Sequence, residues 1–143
     1  MYTSFGREAW AAFKAQDRAG PIQMLNLIRL REQALYPDGR ACAGTQAYAE
    51  YGRISAPVLQ GVGGRIVWRG KFEMTVVGPD SECWDICFIA EYPSVSAFIE
   101  MMRDPIYREA MTHRLAGVVN SRLVRLRPMA GGAGFADPEA EAN

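Results

Sequence analysis

The chain has 143 residues, 49% of them hydrophobic, and its 16 Lys and Arg balance 16 Asp and Glu to a formal net charge of zero. This is the composition of one globular domain, long enough to bury a core without a disulfide framework or a structural metal. Balanced charge supplies no excess positive field for phosphate backbones or anionic lipid, so neither nucleic acid nor a membrane surface is an expected partner.

Ser4 to about Arg18 places Phe5, Ala9, Trp10 and Phe13 on one helical face, with Ser4 positioned as N-cap. Arg7, Glu8, Lys14, Asp17 and Arg18 interrupt the apolar run that an export signal requires. No stretch approaches the roughly 20 apolar residues of a membrane-spanning helix, so the expected compartment is the cytoplasm. Ala19-Gly20-Pro21 ends this helix, and Ile22 to Leu30 (IQMLNLIRL) reads as the first strand. The segment to Gly44 contains the turn chemistry of Pro37-Asp38-Gly39 and reads as a long loop.

From Thr45 to Gly61 the spacing of Tyr48, Tyr51, Ser55, Val58 and Leu59 predicts a helix, kinked at Pro57 and closed by Gly63-Gly64. Arg65 to Val77 reads as a second strand, turning at Gly78-Pro79-Asp80-Ser81 into a third from Trp84 to Tyr92. Ser94 caps a helix bearing Val95, Phe98, Ile99 and Met102. Asp104-Pro105 then restarts it as N-cap and first helical residue of a piece ending near Gly117. Ser121 to Arg127 (SRLVRLR) alternates as a last strand. The expected organisation is an N-terminal helical extension over 1–20, a folded domain over 21–128, and a disordered acidic tail over 129–143. Three cysteines without CxxC spacing and a single histidine, His113, fit a reducing compartment and give no zinc motif. No metal or cofactor is expected.

The order strand, helix, strand, strand, helix, strand is the split βαβ pattern of ferredoxin-like folds. The expected class is α+β, with a four-stranded antiparallel sheet carrying helices on one face and an extra N-terminal helix. Packing two such sheets across a dimer axis covers the other face. Several segments recur in this order: Asn26 to Arg31 (NLIRLR), Gly63-Gly64-Arg65, Trp84-Asp85, Tyr92-Pro93-Ser94, Asp104-Pro105-Ile106-Tyr107 and Asn120-Ser121-Arg122-Leu123. From Pro21 to Pro128 the chain thereby resembles the bacterial domain-of-unknown-function family 1330, of the dimeric α+β barrel superfamily. The resemblance implies a ferredoxin-like protomer that dimerises into a barrel, and it transfers no catalytic residue because the family has no settled activity. The chain departs from it at Asn120, where relatives usually carry an acidic residue, and in its N-terminal helix. The superfamily includes small monooxygenases, isomerases and haem-degrading proteins. Asn26, Trp68 and His113 are similar in type to the Asn, Trp and His set of the last, but their spacing does not match.

Alternation in strands sorts side chains onto faces. In the third strand Trp84, Ile86, Phe88, Ala90 and Tyr92 form an apolar row for the helices, leaving Asp85, Cys87, Ile89 and Glu91 opposite. With Arg65 and Arg69 alternating in the second strand and Met24, Asn26 and Ile28 assigned outward in the first, the face away from the helices is expected to hold Asn26, Arg65, Arg69, Asp85 and Glu91. Such a set can be a charge network across a dimer interface. The alternative is an anion site, with Asn26, Arg65, Arg69 and Asp85 binding an organic carboxylate and Glu91 acting as base. His113 is the second candidate acid or base; its bland alternative is a solvated residue or one capping carbonyls near a helix end. Trp68, Trp84 and Phe88 are expected in the core, as are Tyr48 and Tyr51 unless their hydroxyls line a cavity. With no metal cluster, nucleotide loop or activated nucleophile pair in the sequence, any chemistry is expected to be proton transfer or cofactor-independent oxygenation. The other reading is a non-catalytic binding or assembly protein. Of the 16 basic residues 14 are arginine, and the tail past Pro128 removes three acids from the balance, so the remainder is mildly basic. Arginine favours planar carboxylates, a ligand's or the protein's own.

Overall fold

The computed structural model describes residues 1–137; the last part of the expected tail, 138–143, lies outside the described residues. In chain order the described elements are α1 (Arg7–Ala15), β1 (Ile22–Leu30), α2 (Gly44–Gly61), β2 (Arg65–Gly70), β3 (Ile86–Tyr92), α3 (Val95–Arg103), α4 (Pro105–Gly117) and β4 (Val118–Leu126). The strands form one antiparallel sheet in the order β2-β3-β1-β4. With the helices on one side, this is the ferredoxin-like α+β arrangement, carrying the extra N-terminal helix. No helix among the described residues is long and apolar enough to cross a membrane.

Local chemistry sets most boundaries. The Ser94 hydroxyl accepts from the Ala97 N–H at 3.0 Å, and Asp104 Oδ1 accepts from the Ile106 and Tyr107 N–H groups at 2.7 and 3.3 Å ahead of Pro105. At the start of α2 the Gln46 side chain accepts from the Ala43 N–H at 2.8 Å. The chain leaves α2 through Gly63 at φ +82°, and a Cβ on Gly64 would lie 2.4 Å from Leu59 Cδ1, so glycine is what allows the turn back into the sheet. Helix α2 continues through Pro57.

Three boundaries differ from expectation. Helix α1 starts after Gly6 without a side-chain cap, so Ser4 is not its N-cap. Strand β2 stops at Gly70 rather than Val77, and β3 begins at Ile86, so residues 71–85 form a long connection in place of a tight hairpin turn. Strand β4 starts at Val118, directly after α4.

The core lies between sheet and helices, built from Ile22, Met24, Ala90, Tyr92, Val95, Phe98, Met101 and Tyr107. The N-terminal segment is part of it: Phe13 packs on Phe98 at 4.9 Å between ring centroids, and Phe5 and Trp10 pack around Phe13. Arg125, from β4, donates to the Phe13 and Gln16 carbonyls at 3.2 and 2.6 Å, satisfying the C-terminal end of α1.

Register corrects the face assignment twice. Met24, Asn26 and Ile28 stand opposite Ala90, Phe88 and Ile86 on the helix side, so the outward residues of β1 are Gln23, Leu25, Leu27 and Arg29. The run is apolar at both parities, and alternation alone could not choose. In β2 a bulge falls between Ile66, opposite Ala90, and Trp68, opposite Ile89. The extra residue flips everything after it. Trp68 therefore joins Arg65 on the open face, while Arg69, opposite Phe88, turns to the helix side.

Candidate functional site

The open sheet face has an apolar centre and polar ends. Leu25, Leu27 and Ile89 are half-buried there, Val124 and Leu126 are exposed beside them, and Trp68 closes the row from β2 with 48% of its surface exposed. Trp68 is thus not the core residue its composition suggested. Its ring lies over Gly70, where a Cβ would come within 2.7 Å of it.

At one end of this face Arg65 donates to Glu91 Oε2 from Nη2 at 3.0 Å and from Nε at 3.3 Å, while Gln23 Nε2 donates to Glu91 Oε1 at 3.0 Å. At the other end the Arg122 guanidinium sits between the Tyr2 and Trp84 rings, 5.0 and 5.1 Å from their centroids. It pairs with Glu82 at 3.3 Å and donates to Asn120 Oδ1 at 3.0 Å. Trp84 is buried, but against this arginine rather than with the main cluster; Phe88 packs on the core as expected.

The expected constellation is therefore dispersed. Only Arg65 and Glu91 meet. Asn26, on the helix side, donates to the Met24 carbonyl at 3.0 Å, and Arg69 lies on that side too. Asp85 is at the opposite end of β3, where Oδ2 accepts from the Leu30 N–H at 2.7 Å and closes the end of β1. Among the described residues no three His, Cys, Asp or Glu side chains converge in a way that could hold a metal ion. Burial pushes the Cys87 thiol above its ordinary range, which makes it a poor nucleophile.

His113 has a partner that sequence did not offer. Its Nδ1 lies 2.7 Å from the Tyr36 hydroxyl, the rings meet edge to face at 5.5 Å, and Arg40 covers the Tyr36 ring at 4.4 Å. The Arg40 side chain in turn binds Asp38, which holds that carboxyl below its usual range. The histidine ties the 31–43 loop to α4 instead of capping carbonyls, and burial raises the Tyr36 hydroxyl's pKa, so it stays protonated.

A second polar group, missed in the sequence, lies under the helices. The Tyr51 and Tyr107 hydroxyls are 2.9 Å apart, and the Tyr48 ring packs on Tyr51 at 5.2 Å. Tyr92 is buried, and its hydroxyl has no hydrogen-bond partner among the described residues. Desolvation pushes Tyr48, Tyr92 and Tyr107 well above the ordinary phenol value, and the neighbouring Tyr51 adds to each shift. Arg114, buried and donating to the Thr3 carbonyl, pulls Tyr48 and Tyr107 partly back. The i, i+3 spacing of Tyr48 and Tyr51 was readable; their meeting with Tyr92 and Tyr107 is a product of tertiary packing. An open groove of 520 Å³ along α3, lined by Ser96, Ile99, Glu100, Arg103 and Asp104, includes none of these residues.

The model of a domain of unknown function, DUF1330, matches residues 42–125. The crystal structure of methylated RPA0582 protein is 56% identical, over 92% of this chain and 98% of that one, at a TM-score of 0.90. A second structure, of RPA0582, a protein of unknown function from Rhodopseudomonas palustris, is 55% identical over 91% and 98%, with a TM-score of 0.88. The solution structure of a hypothetical Arabidopsis thaliana protein, 13% identical over 82% and 96%, shares the fold at a TM-score of 0.52. Among curated proteins none matches.

Proposed function

The chain belongs to the DUF1330 family, a domain of unknown function, and on that premise we propose that it works as a homodimer in which the open faces of two sheets pack together. The carrying observation is the row Leu25, Leu27, Ile89, Val124, Leu126 and Trp68 on a face opposite the helices. A sheet wetted on one side alternates apolar with polar residues. Strand β1 instead places Met24 and Ile28 inward and Leu25 and Leu27 outward. Apolar ground bounded by polar residues has the anatomy of an interface. Two of the bounding arginines are already paired, Arg65 with Glu91 and Arg122 with Glu82, which lowers the cost of burying them.

This pairing also argues against the open face as a carboxylate site. The Arg65 fork and both Glu91 oxygens are satisfied by the protein itself, so the carboxylate that Arg65 holds is its own. Sedimentation at micromolar concentration is expected to give twice the chain mass, falling to the chain mass in Leu27→Asp with an unchanged circular dichroism spectrum. A monomeric wild type at tens of micromolar overturns the reading.

One observation favours a second reading, binding of a small organic molecule on the helix side. The Tyr92 hydroxyl, without a hydrogen-bond partner among the described residues, adjoins the Tyr51–Tyr107 pair, and burial holds Tyr92 and Tyr107 protonated, suited to donate a hydrogen bond to a carboxylate or carbonyl oxygen. The role there would be hydrogen-bond donation without proton transfer, because burial disfavours the phenolate that transfer would leave behind. A thermal-shift panel of aliphatic and aromatic carboxylates tests it, since binding to the folded state raises the melting temperature. A stabilising compound whose effect is lost in Tyr92→Phe supports the reading, and a wild type that no member shifts overturns it.

A further inference from the structure

The connection between β2 and β3 exposes three apolar side chains close together in sequence: Met74 at 71%, Val76 at 84% and Val77 at 94%. Single exposed apolar residues are ordinary, but a cluster on one segment marks a contact surface. The root of the segment is held to its own sheet. Thr75 donates to the Glu82 carbonyl, Glu82 pairs with Arg122, and Asp85 accepts from the Leu30 N–H. Its tip is covered by nothing among the described residues.

We infer that this tip docks on a second copy of the chain, against the open sheet face and beside Arg29. The inference rests on the proposed pairing of open faces and says how that pairing is completed. Charge selects a second copy as occupant. Residues 71–85 contain Glu73, Asp80, Glu82 and Asp85 against Lys71 alone, whereas the four strands contain Arg29, Arg65, Arg69, Arg122 and Arg125 against Glu91 alone. Much of this charge is used within one copy: Glu82 by Arg122, Asp85 by a backbone N–H, Arg65 by Glu91, and Arg125 by carbonyls. Glu73 and Asp80 on the exposed segment have no ion pair among the described residues, and neither has Arg29 on the open face. Arg29 lies opposite Asn120, on the same face as Leu25 and Leu27. A partner's tip placed there would set Met74, Val76 and Val77 on the apolar row and its acids beside Arg29. Opposite charges at such a contact fix register and exclude other partners more than they add affinity.

The test is the dimer dissociation constant of the full chain, measured by sedimentation velocity over a concentration series. Val76→Asp with Val77→Asp is expected to weaken the dimer at least tenfold while leaving the monomer's melting temperature unchanged, because both side chains are exposed in their own chain. Glu73→Arg with Asp80→Arg is expected to weaken it, as is Arg29→Glu, and the combined charge exchange to recover it. An unchanged constant in the two valine substitutions, with Leu27→Asp still dissociating, overturns the docking and leaves face-to-face pairing standing; an unrelated protein as the tip's partner would give this result. Failure of the charge exchange to recover the dimer also overturns the docking beside Arg29. A monomeric wild type removes both readings.

Discussion

The buried tyrosines couple the chain's stability to pH at the alkaline end. Tyr48, Tyr92 and Tyr107 have folded-state pKa values raised above that of an exposed phenol, about 10 in an unfolded chain, mainly because burial disfavours the phenolate. Folding therefore holds their protons, and the associated stability is fully present below pH 10 and is lost as the pH climbs through the raised values. Phenolate absorbance at 295 nm should rise in two stages: exposed tyrosines first, then the buried ones together with loss of the folded circular dichroism signal. A single reversible stage near pH 10, with the fold intact, would show that these hydroxyls reach water freely. In contrast, Tyr36 is only lightly buried; its pKa is raised, mainly by desolvation, so the group that meets His113 Nδ1 is a protonated phenol.

Two contacts between elements depend on atoms that are small or singular. A Cβ on Gly44 would stand 1.9 Å from the Arg31 carbonyl oxygen, and one on Gly117 would stand 2.9 Å from the Gly44 carbonyl oxygen. The backbones of α2, α4 and the end of β1 touch here, and the Arg31 N–H is bound to the Gly117 carbonyl at 2.8 Å, so none can retreat alone. Gly44→Ala should destabilise the fold by about 1–3 kcal/mol, the usual range for overpacking, seen as a lower urea midpoint at unchanged slope. An unaltered midpoint would mean this crossing has slack. The 31–43 loop is fixed to α4 by Tyr36 and His113, and also by the Leu35 N–H donating to the Ala116 carbonyl at 2.8 Å. Tyr36→Phe removes only the side-chain bond, worth roughly 1 kcal/mol net. Amide exchange should therefore quicken around residues 36–41 while global stability barely moves, and unchanged exchange there would leave the backbone bond as the loop's real tether.

For the molecule as a whole, the N-terminal helix packs into the main core and is expected to unfold with it. Phe13 is buried against Phe98 and Trp10, with the Arg125 guanidinium 5.0 Å from its ring and α1's last carbonyls held by the same arginine. Phe13→Ala should cost about 3–5 kcal/mol, the range for deleting a buried aromatic ring, and lower the melting temperature of the entire domain in one transition. A separate early transition, with the rest melting as before, would make residues 1–20 a unit that unfolds independently of the domain. The proposed dimer would add a second level, because a bare apolar face ties solubility to self-association.

Element order, helix capping by Ser94 and Asp104, and the one-sided sheet were all legible from residue types and spacing, since these depend on neighbours a few positions apart. So was the apolar row of β3 from Ile86 to Tyr92. The candidate site was not, for two local reasons. Strand β1 is apolar at both parities, so alternation could not say whether Asn26 or Leu27 faced outward, and only pairing with β3 decided it. One extra residue in β2 then reversed the face of Arg69 relative to Arg65, and a bulge leaves no mark in composition. The partners of His113 and of the tyrosines come from segments far apart in the chain. What the sequence by itself determined is the set of groups available and the local elements that carry them; which groups meet was decided by register and packing, because contacts between distant segments are fixed only when the sheet and its helices close on one another.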